Sequence, residues 1–269
     1  MTLQMQKNNQ SLNCEEIAAL QGGQVYNMSQ VHEYHNGSWR LVWEKLKRIT
    51  INGGTDVNLA TFLANNGITS GKVEITNIGT IKASSTGTPA CVTGELSGYK
   101  DVMFINQGTV VGKGGSGGYG GTAAGQGGNG GAGGTAFYAS SLVHVQNDGA
   151  IYAGGGGGGG GGAFSHRYCS ESDSGKCRRY VTVRRDGGIG GRGYGTDGNA
   201  TGGSGGSSCV WGSSGGGGKG GNSGASGSNG ARGAKSKING GYGGAGGKSI
   251  SGNDKIVWQK TGTRTGAVT

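Results

Sequence analysis

Apolar and polar residues alternate twice near the start of the chain, in Val31–His35 and again in Trp39–Trp43. Asn36-Gly37 separates the two runs and is the strongest short hairpin signal, so a β-hairpin is expected over 25–45. Its return strand places Trp39, Leu41 and Trp43 on one face. That face either fills a small core of its own or docks the chain to a larger assembly. Upstream, Asn13-Cys14-Glu15-Glu16 has the form of a capping box. It predicts a short helix through Leu20, stopped at Gly22-Gly23.

A repeat follows. Val73-Glu-Ile75-Thr-Asn77-Ile-Gly79-Thr-Ile81 aligns with Val102–Val110 around Asn106, and with Val143–Ile151 around Asn147. Positions −4, −2 and +4 from the Asn are apolar in every copy, and position +2 is Gly. Each copy reads as strand, tight turn, strand. A weaker copy surrounds Leu63–Gly67. Repeated units that share an apolar face predict stacked β-coils.

Beyond residue 110 the apolar pattern gives way to glycine, in tracts over 112–121, 127–134, 154–162, 187–195, 202–206, 215–221 and 240–247. Residues 154–162 are nine consecutive glycines. Such a run is either a flexible linker or an extended three-residue helix whose backbone bonds other backbones. The second and third repeat copies run directly into glycine tracts, which favours the ordered form. The expected fold is therefore mostly β and irregular. A short N-terminal helix and β-hairpin precede a β-solenoid-like base, and a sandwich of packed polyglycine II helices with distal loops follows. The boundaries are an attachment module over 1–48, a β-coil base over 49–111, and a glycine-rich domain over 112–269 into which the base sends strand 139–153.

Glycine supplies 68 of 269 residues against a usual ~7%. Pro occurs once and no strict Gly-X-Y period runs through the tail, which excludes collagen. Net charge is +10, suited to acidic partners. No signal peptide and no apolar run of membrane-spanning length is present, so synthesis in a cytosol and no membrane span are expected. Phosphate-loop spacing fails at Gly218-Lys219 and at Gly247-Lys248. No catalytic constellation and no metal or cofactor motif is found. Cys169 and Cys177 either close a hairpin as a disulfide or remain free.

Asn147-Asp-Gly149-Ala-Ile151-Tyr-Ala-Gly154 running into the nine glycines, and the terminal Val257-Trp258-Gln259 with Gly262 and Gly266, resemble a known family. It is that of the receptor-recognising adhesins at the long-tail-fibre tip of T-even-type bacteriophages. The resemblance covers about 98–269, and the N-terminal third departs from it. It implies a virion protein made in the host cytoplasm, with variable loops on a polyglycine scaffold that bind an outer-membrane receptor. The implied partners are a porin-like outer-membrane protein or lipopolysaccharide at one end. From the hairpin's apolar face rather than from the resemblance, the N-terminal region is expected to hold a trimeric fibre or tail-tip protein through Trp39, Leu41 and Trp43. Two alternatives stay open: a Gly/Arg/Tyr-rich nucleic-acid-binding tail, and a structural or ice-binding glycine-helix bundle.

Parity along the glycine tracts assigns the loops. If the strand ending at Ile151 lies in the base, 154–162 leaves it and Ala163 begins at the far end. By the same count 122–126, 163–186, 207–214 and 234–239 are distal. The candidate receptor-binding residues are then Phe164, Tyr168, Arg178, Arg179, Tyr180, Arg184, Arg185, Trp211, Lys235 and Lys237, with Gly154, Gly158 and Gly162 as scaffold. Aromatic and Arg side chains are the usual anchors of interfaces.

Overall fold

The computed structural model describes residues 17–21, 24–28, 30–35, 38–123, 125–234 and 238–269. The chain is mostly β. Two antiparallel hairpins come first: β1 (Ile17–Gln21) with β2 (Gln24–Met28), and β3 (Gln30–His35) with β4 (Ser38–Glu44). The expected hairpin about residues 36–37 is therefore present, with Trp39 opposite Tyr34 and Trp43 opposite Val31. The expected N-terminal helix is not. Residues 13–16 of its capping box lie outside the described residues, and Ile17–Gln21 is a strand. A helix of two or three turns is marginal alone, whereas this segment pairs along its whole length with Gln24–Met28.

The remaining strands wind into five parallel coils. The first coil is β5 (Lys47–Ile51), β6 (Gly54–Thr55) and β7 (Val57–Asn58), followed by α1 (Leu59–Asn65). The second is β8 (Gly71–Asn77), β9 (Thr80–Lys82) and β10 (Cys91–Val92). The third is β11 (Tyr99–Asn106), β12 (Thr109–Val111) and β13 (Phe137–Tyr138). The fourth begins with β14 (Val143–Asn147) and β15 (Ala150–Tyr152). It is interrupted by the hairpins β16 (Phe164–Asp173) with β17 (Lys176–Arg185) and β18 (Ser208–Cys209) with β19 (Gly212–Ser213). It ends with β20 (Lys248–Ser251). The fifth is β21 (Ile256–Lys260), β22 (Thr263–Thr265) and β23 (Ala267–Val268). Three five-stranded sheets result: β5-β8-β11-β14-β21, β6-β9-β12-β15-β22 and β7-β10-β13-β20-β23.

The core sits between these sheets, and three rows in register are apolar from the second through the fourth coil. Ile49, Ile75, Phe104 and Val145 form one row. Ile81, Val110 and Ile151 form the second, and Val57, Cys91, Phe137 and Ile250 the third. Phe104 and Phe137 stack across the interior at 5.6 Å. The repeat's Asn sits at the expected turn, Asn77 Oδ1 accepting from Gly79 N at 3.2 Å. Asn77, Asn106 and Asn147 are also fully buried and stacked, Asn77 Nδ2 donating to Asn106 Oδ1 and Asn106 Nδ2 to Asn147 Oδ1, each at 2.8 Å.

Two sequence expectations are corrected here. The weak copy at Leu63–Gly67 is the end of α1, capped by Asn58 Oδ1 accepting from Thr61 N. Leu59 and Leu63, four apart, are fully buried, a helical spacing that overrides the resemblance to a coil. Residues 248–269, expected in the glycine domain, complete the fourth and fifth coils, because Ile250 and Ile256 extend rows set by Phe137 and Val143.

The glycine tracts are two insertions at the same corner. One joins β12 to β13, and the other joins β15 to β20. Residues 154–162 are the axis of the insertion. Their amides donate to Gly134, Gly131 and Gly128, to Tyr194, Gly191 and Gly188, and to Ala225, Ser228 and Ala231. Their carbonyls accept from Gly247, Gly244 and Gly241, from Gly115, Gly118 and Gly121, and from Gly221, Gly218 and Gly215. Six tracts therefore surround one, and each also bonds its two neighbours around the ring. A Cβ on Gly157 would stand 1.8 Å from the Ser116 carbonyl oxygen, which explains why this tract admits no side chain.

The outer tracts carry a side chain at every third position, as in Lys113, Ser116, Tyr119 and Thr122, or Gln126, Asn129 and Ala132. Where an amide faces outward and no backbone can reach it, a polar side chain of the next tract does. Ser204 Oγ accepts from Ile189 N, Thr201 Oγ1 from Arg192 N and Ser228 Oγ from Lys219 N, each at 2.7 Å. Asn129 Oδ1 accepts from Tyr242 N at 2.9 Å. Buried or edge-on backbone polar groups left unpaired are costly, and these side chains remove that cost.

Candidate functional site

The loops at the end of the glycine tracts away from the coils touch one another. Ala123 N donates to Asp186 Oδ1 at 3.3 Å. Ser214 Oγ donates to the Asp186 carbonyl at 2.6 Å, and Ala234 N to the Ser213 carbonyl at 2.8 Å. Residues 122–123, 163–186, 207–214 and 233–234 thus share one end. The opposite turns lie at the coils. Gly224 N donates to Ala153 O, and Asp197 accepts from Lys113 Nζ at 2.7 Å.

The β16–β17 hairpin dominates the distal end. On one face Phe164, His166 and Tyr168 alternate along β16. Trp211, from the turn between β18 and β19, lies on them at 4.7 Å from Tyr168 and 5.7 Å from His166, both near-parallel. On the other face Arg167 stands 4.1 Å above the Tyr180 ring. Farther out, Cys169 and Cys177 form a disulfide, which takes both sulfurs out of any metal chemistry. Arg178 pairs with Asp173, and Arg179 with Glu171 at 3.4 Å.

The candidate residues divide accordingly. Tyr180 is 56% exposed and Trp211 38%, so both present aromatic surface. Tyr168 is half-buried beneath Trp211, and Arg178, Arg179, Arg184 and Arg185 are exposed. Phe164 is fully buried. It anchors the hairpin root against Gly212 rather than offering a contact surface, because its position next to Ala163 is still within the glycine packing. Lys235 and Lys237 lie outside the described residues, as do the side chains of Trp39, Leu41 and Trp43. Arg167 belongs to the segment that the parity count places at the distal end, while sequence reasoning left His166 and Val210 out of the contact set, the last 92% exposed. The two-residue alternation through 164–168 held the signal for His166. Gly154, Gly158 and Gly162 run the length of the central tract, from the coils to the distal end.

Among the described residues no three His, Cys, Asp or Glu side chains gather as a metal site. No described helix is long and apolar enough to cross a membrane.

Residues 46–269 match the family model described as phage tail fibre adhesin Gp38. No curated protein matches. A solved structure, the gp37–gp38 adhesin tip complex of the bacteriophage S16 long tail fibre, is similar at 19% identity with a TM-score of 0.46, covering 84% of this chain and 83% of that one. The family match spans all five coils and every glycine tract, and on it the chain belongs to the Gp38 phage tail fibre adhesins, receptor-binding proteins of the virion tail.

Proposed function

We propose that the distal end is the receptor-binding face and that the glycine tracts are polyglycine II helices serving as its rigid pedestal. The observation that carries this reading is the convergence of four loops on one end, with Tyr180, Val210 and Trp211 exposed among arginines. Nine residues of such a helix extend about 28 Å, a reach that holds the loops clear of the coils. The backbone network makes the pedestal stiff without a hydrophobic core, so the loops vary without disturbing it.

The arginine excess suits acidic loops of a porin-like outer-membrane protein, or lipopolysaccharide phosphates. Binding is the whole activity in this reading, with no catalysis. Attachment to a trimeric fibre protein is assigned to the N-terminal region through Trp39, Leu41 and Trp43. The test is adsorption of phage carrying Tyr180→Ala with Trp211→Ala. Adsorption should fall by at least about tenfold, equivalent to some 1.4 kcal/mol, with an unchanged melting temperature. Exchanging segment 163–186 for a relative's should move host range. Adsorption that survives both changes refutes the assignment.

A further inference from the structure

The two faces of the β16–β17 hairpin differ in chemistry. In register, Ser165 stands opposite Arg184, Arg167 opposite Thr182 and Cys169 opposite Tyr180. Residues directly opposite share a face. One face therefore carries Ser165, Arg167, Tyr180, Thr182 and Arg184, and the other Phe164, His166, Tyr168, Val181 and Val183. The second face is closed: Trp211 stacks on His166 and Tyr168, and both valines are half-buried. On the first, Arg167, Tyr180, Thr182 and Arg184 are all exposed.

The arginines of the hairpin are not equivalent. Arg178 pairs with Asp173, Arg179 with Glu171 at 3.4 Å, and Arg185 Nη1 donates to the Arg184 carbonyl at 3.0 Å. Arg167 and Arg184, both on the open face, pair with no carboxylate among the described residues. Arg167 lies instead over the Tyr180 ring at 4.1 Å. A guanidinium stacked on a ring keeps its in-plane N–H donors free. The ring also restricts its rotamers, and the Cys169–Cys177 disulfide ties the two strands beside Tyr180. Part of the ordering cost of binding is thereby met in advance.

We infer that this open face binds a phosphate group on the saccharide of lipopolysaccharide, held between Arg167 and Arg184 with the Ser165 and Thr182 hydroxyls beside it. A phosphate presents three strong acceptor oxygens at one centre and matches the planar fork of Arg. An acidic protein loop fits this face less well. Protein interfaces centre on uncovered apolar anchors, and the one ring here lies beneath Arg167. The uncovered apolar residues of the tip, Val210 and Trp211, belong to the loop that packs on the opposite face. The inference rests on the distal end being the receptor-binding face. It adds which face of the hairpin takes the anion, through which two arginines, and which of the two acidic partners it fits.

The test is calorimetric titration of the full chain with delipidated lipopolysaccharide core oligosaccharide from a strain that adsorbs the phage, before and after chemical dephosphorylation. Hexaglutamate serves as the acidic-peptide control. The phosphorylated oligosaccharide should bind with a Kd of about 0.1–1 mM, at least about tenfold tighter than the dephosphorylated form or hexaglutamate. Arg167→Gln with Arg184→Gln should weaken it at least about tenfold, with a melting curve matching the parent. Lys72→Gln with Lys219→Gln makes the same change in net charge away from the tip and should leave binding within about twofold. Binding indifferent to dephosphorylation, equal binding by the two double variants, or preference for hexaglutamate would each overturn the inference. If adsorption is nevertheless lost in phage carrying Tyr180→Ala with Trp211→Ala, the tip assignment stands and only the phosphate contact falls. Phosphate-dependent binding through both arginines, with adsorption intact in that phage, would uphold the contact and refute the tip assignment.

Discussion

The guanidinium of Arg264 lies 4.5 Å from the centre of the Trp258 ring, and both occupy inward rows of the last coil. Arg264 is in register with Ile151, Val110 and Ile81, and Trp258 with Val145 and Phe104. A solenoid needs a polar end, since its rows otherwise stop on bare apolar surface. The cation over the ring supplies one. Replacing Arg264 with Leu should leave thermal stability nearly unchanged, a cation–π pair at a half-exposed site being worth about 1 kcal/mol. It should, however, promote end-to-end association. Sedimentation over a concentration series will show a rising mass, and a strictly unchanged mass would remove the capping role.

Gly158 and Gly202 make a controlled pair. A Cβ at Gly158 would stand 2.1 Å from the Gly218 carbonyl, whereas at Gly202 it would meet nothing within 4 Å. Gly158→Ala should cost about 3 kcal/mol or more and lower the melting temperature sharply. Gly202→Ala should stay within about 0.5 kcal/mol. Equal melting curves for the two variants would argue against a packed central tract.

The asparagine ladder is a second source of stability. Asn106 accepts from Asn77 and donates to Asn147, all three fully buried. Asn106→Leu strands a polar atom on either side, at roughly 1–3 kcal/mol each. Urea unfolding should report a loss of about 2–5 kcal/mol. A loss under about 1 kcal/mol would mean that the neighbours find other partners.

The turn beneath the glycine tracts should respond to acid. The hydrogen bond from Lys113 holds the Asp197 carboxyl below its ordinary range, with Lys113 and Arg192 charges adding to the effect. A depressed folded value stabilises above the unfolded one and is lost as pH falls through the folded value. The Gly195 and Gly198 amides, which bond each other, should therefore lose protection against exchange below about pH 4. In Asp197→Asn that pH dependence should flatten. An unchanged profile would place the acid response elsewhere.

The sequence by itself determined which tract is central. Only an unbroken glycine run can have six backbone neighbours, because any Cβ would enter a carbonyl, and 154–162 is the longest such run. It also determined the repeat's apolar rows and the hairpin at Asn36-Gly37, since two-residue alternation and turn chemistry are local. The every-third-residue rows of the outer tracts were legible too, but each row is short and phase-shifted from the next, so no single period ran through the tail. Tertiary structure decided the rest. It drew 248–269 back into the coils, because Ile250 and Ile256 complete rows begun more than a hundred residues earlier. It turned Ile17–Gln21 from a weak helix into a paired strand. It buried Phe164 while leaving Tyr180 exposed, a difference that depends on how far each residue stands from the glycine packing. Local pattern fixes which face a side chain takes, but its depth is set by neighbours distant in the chain.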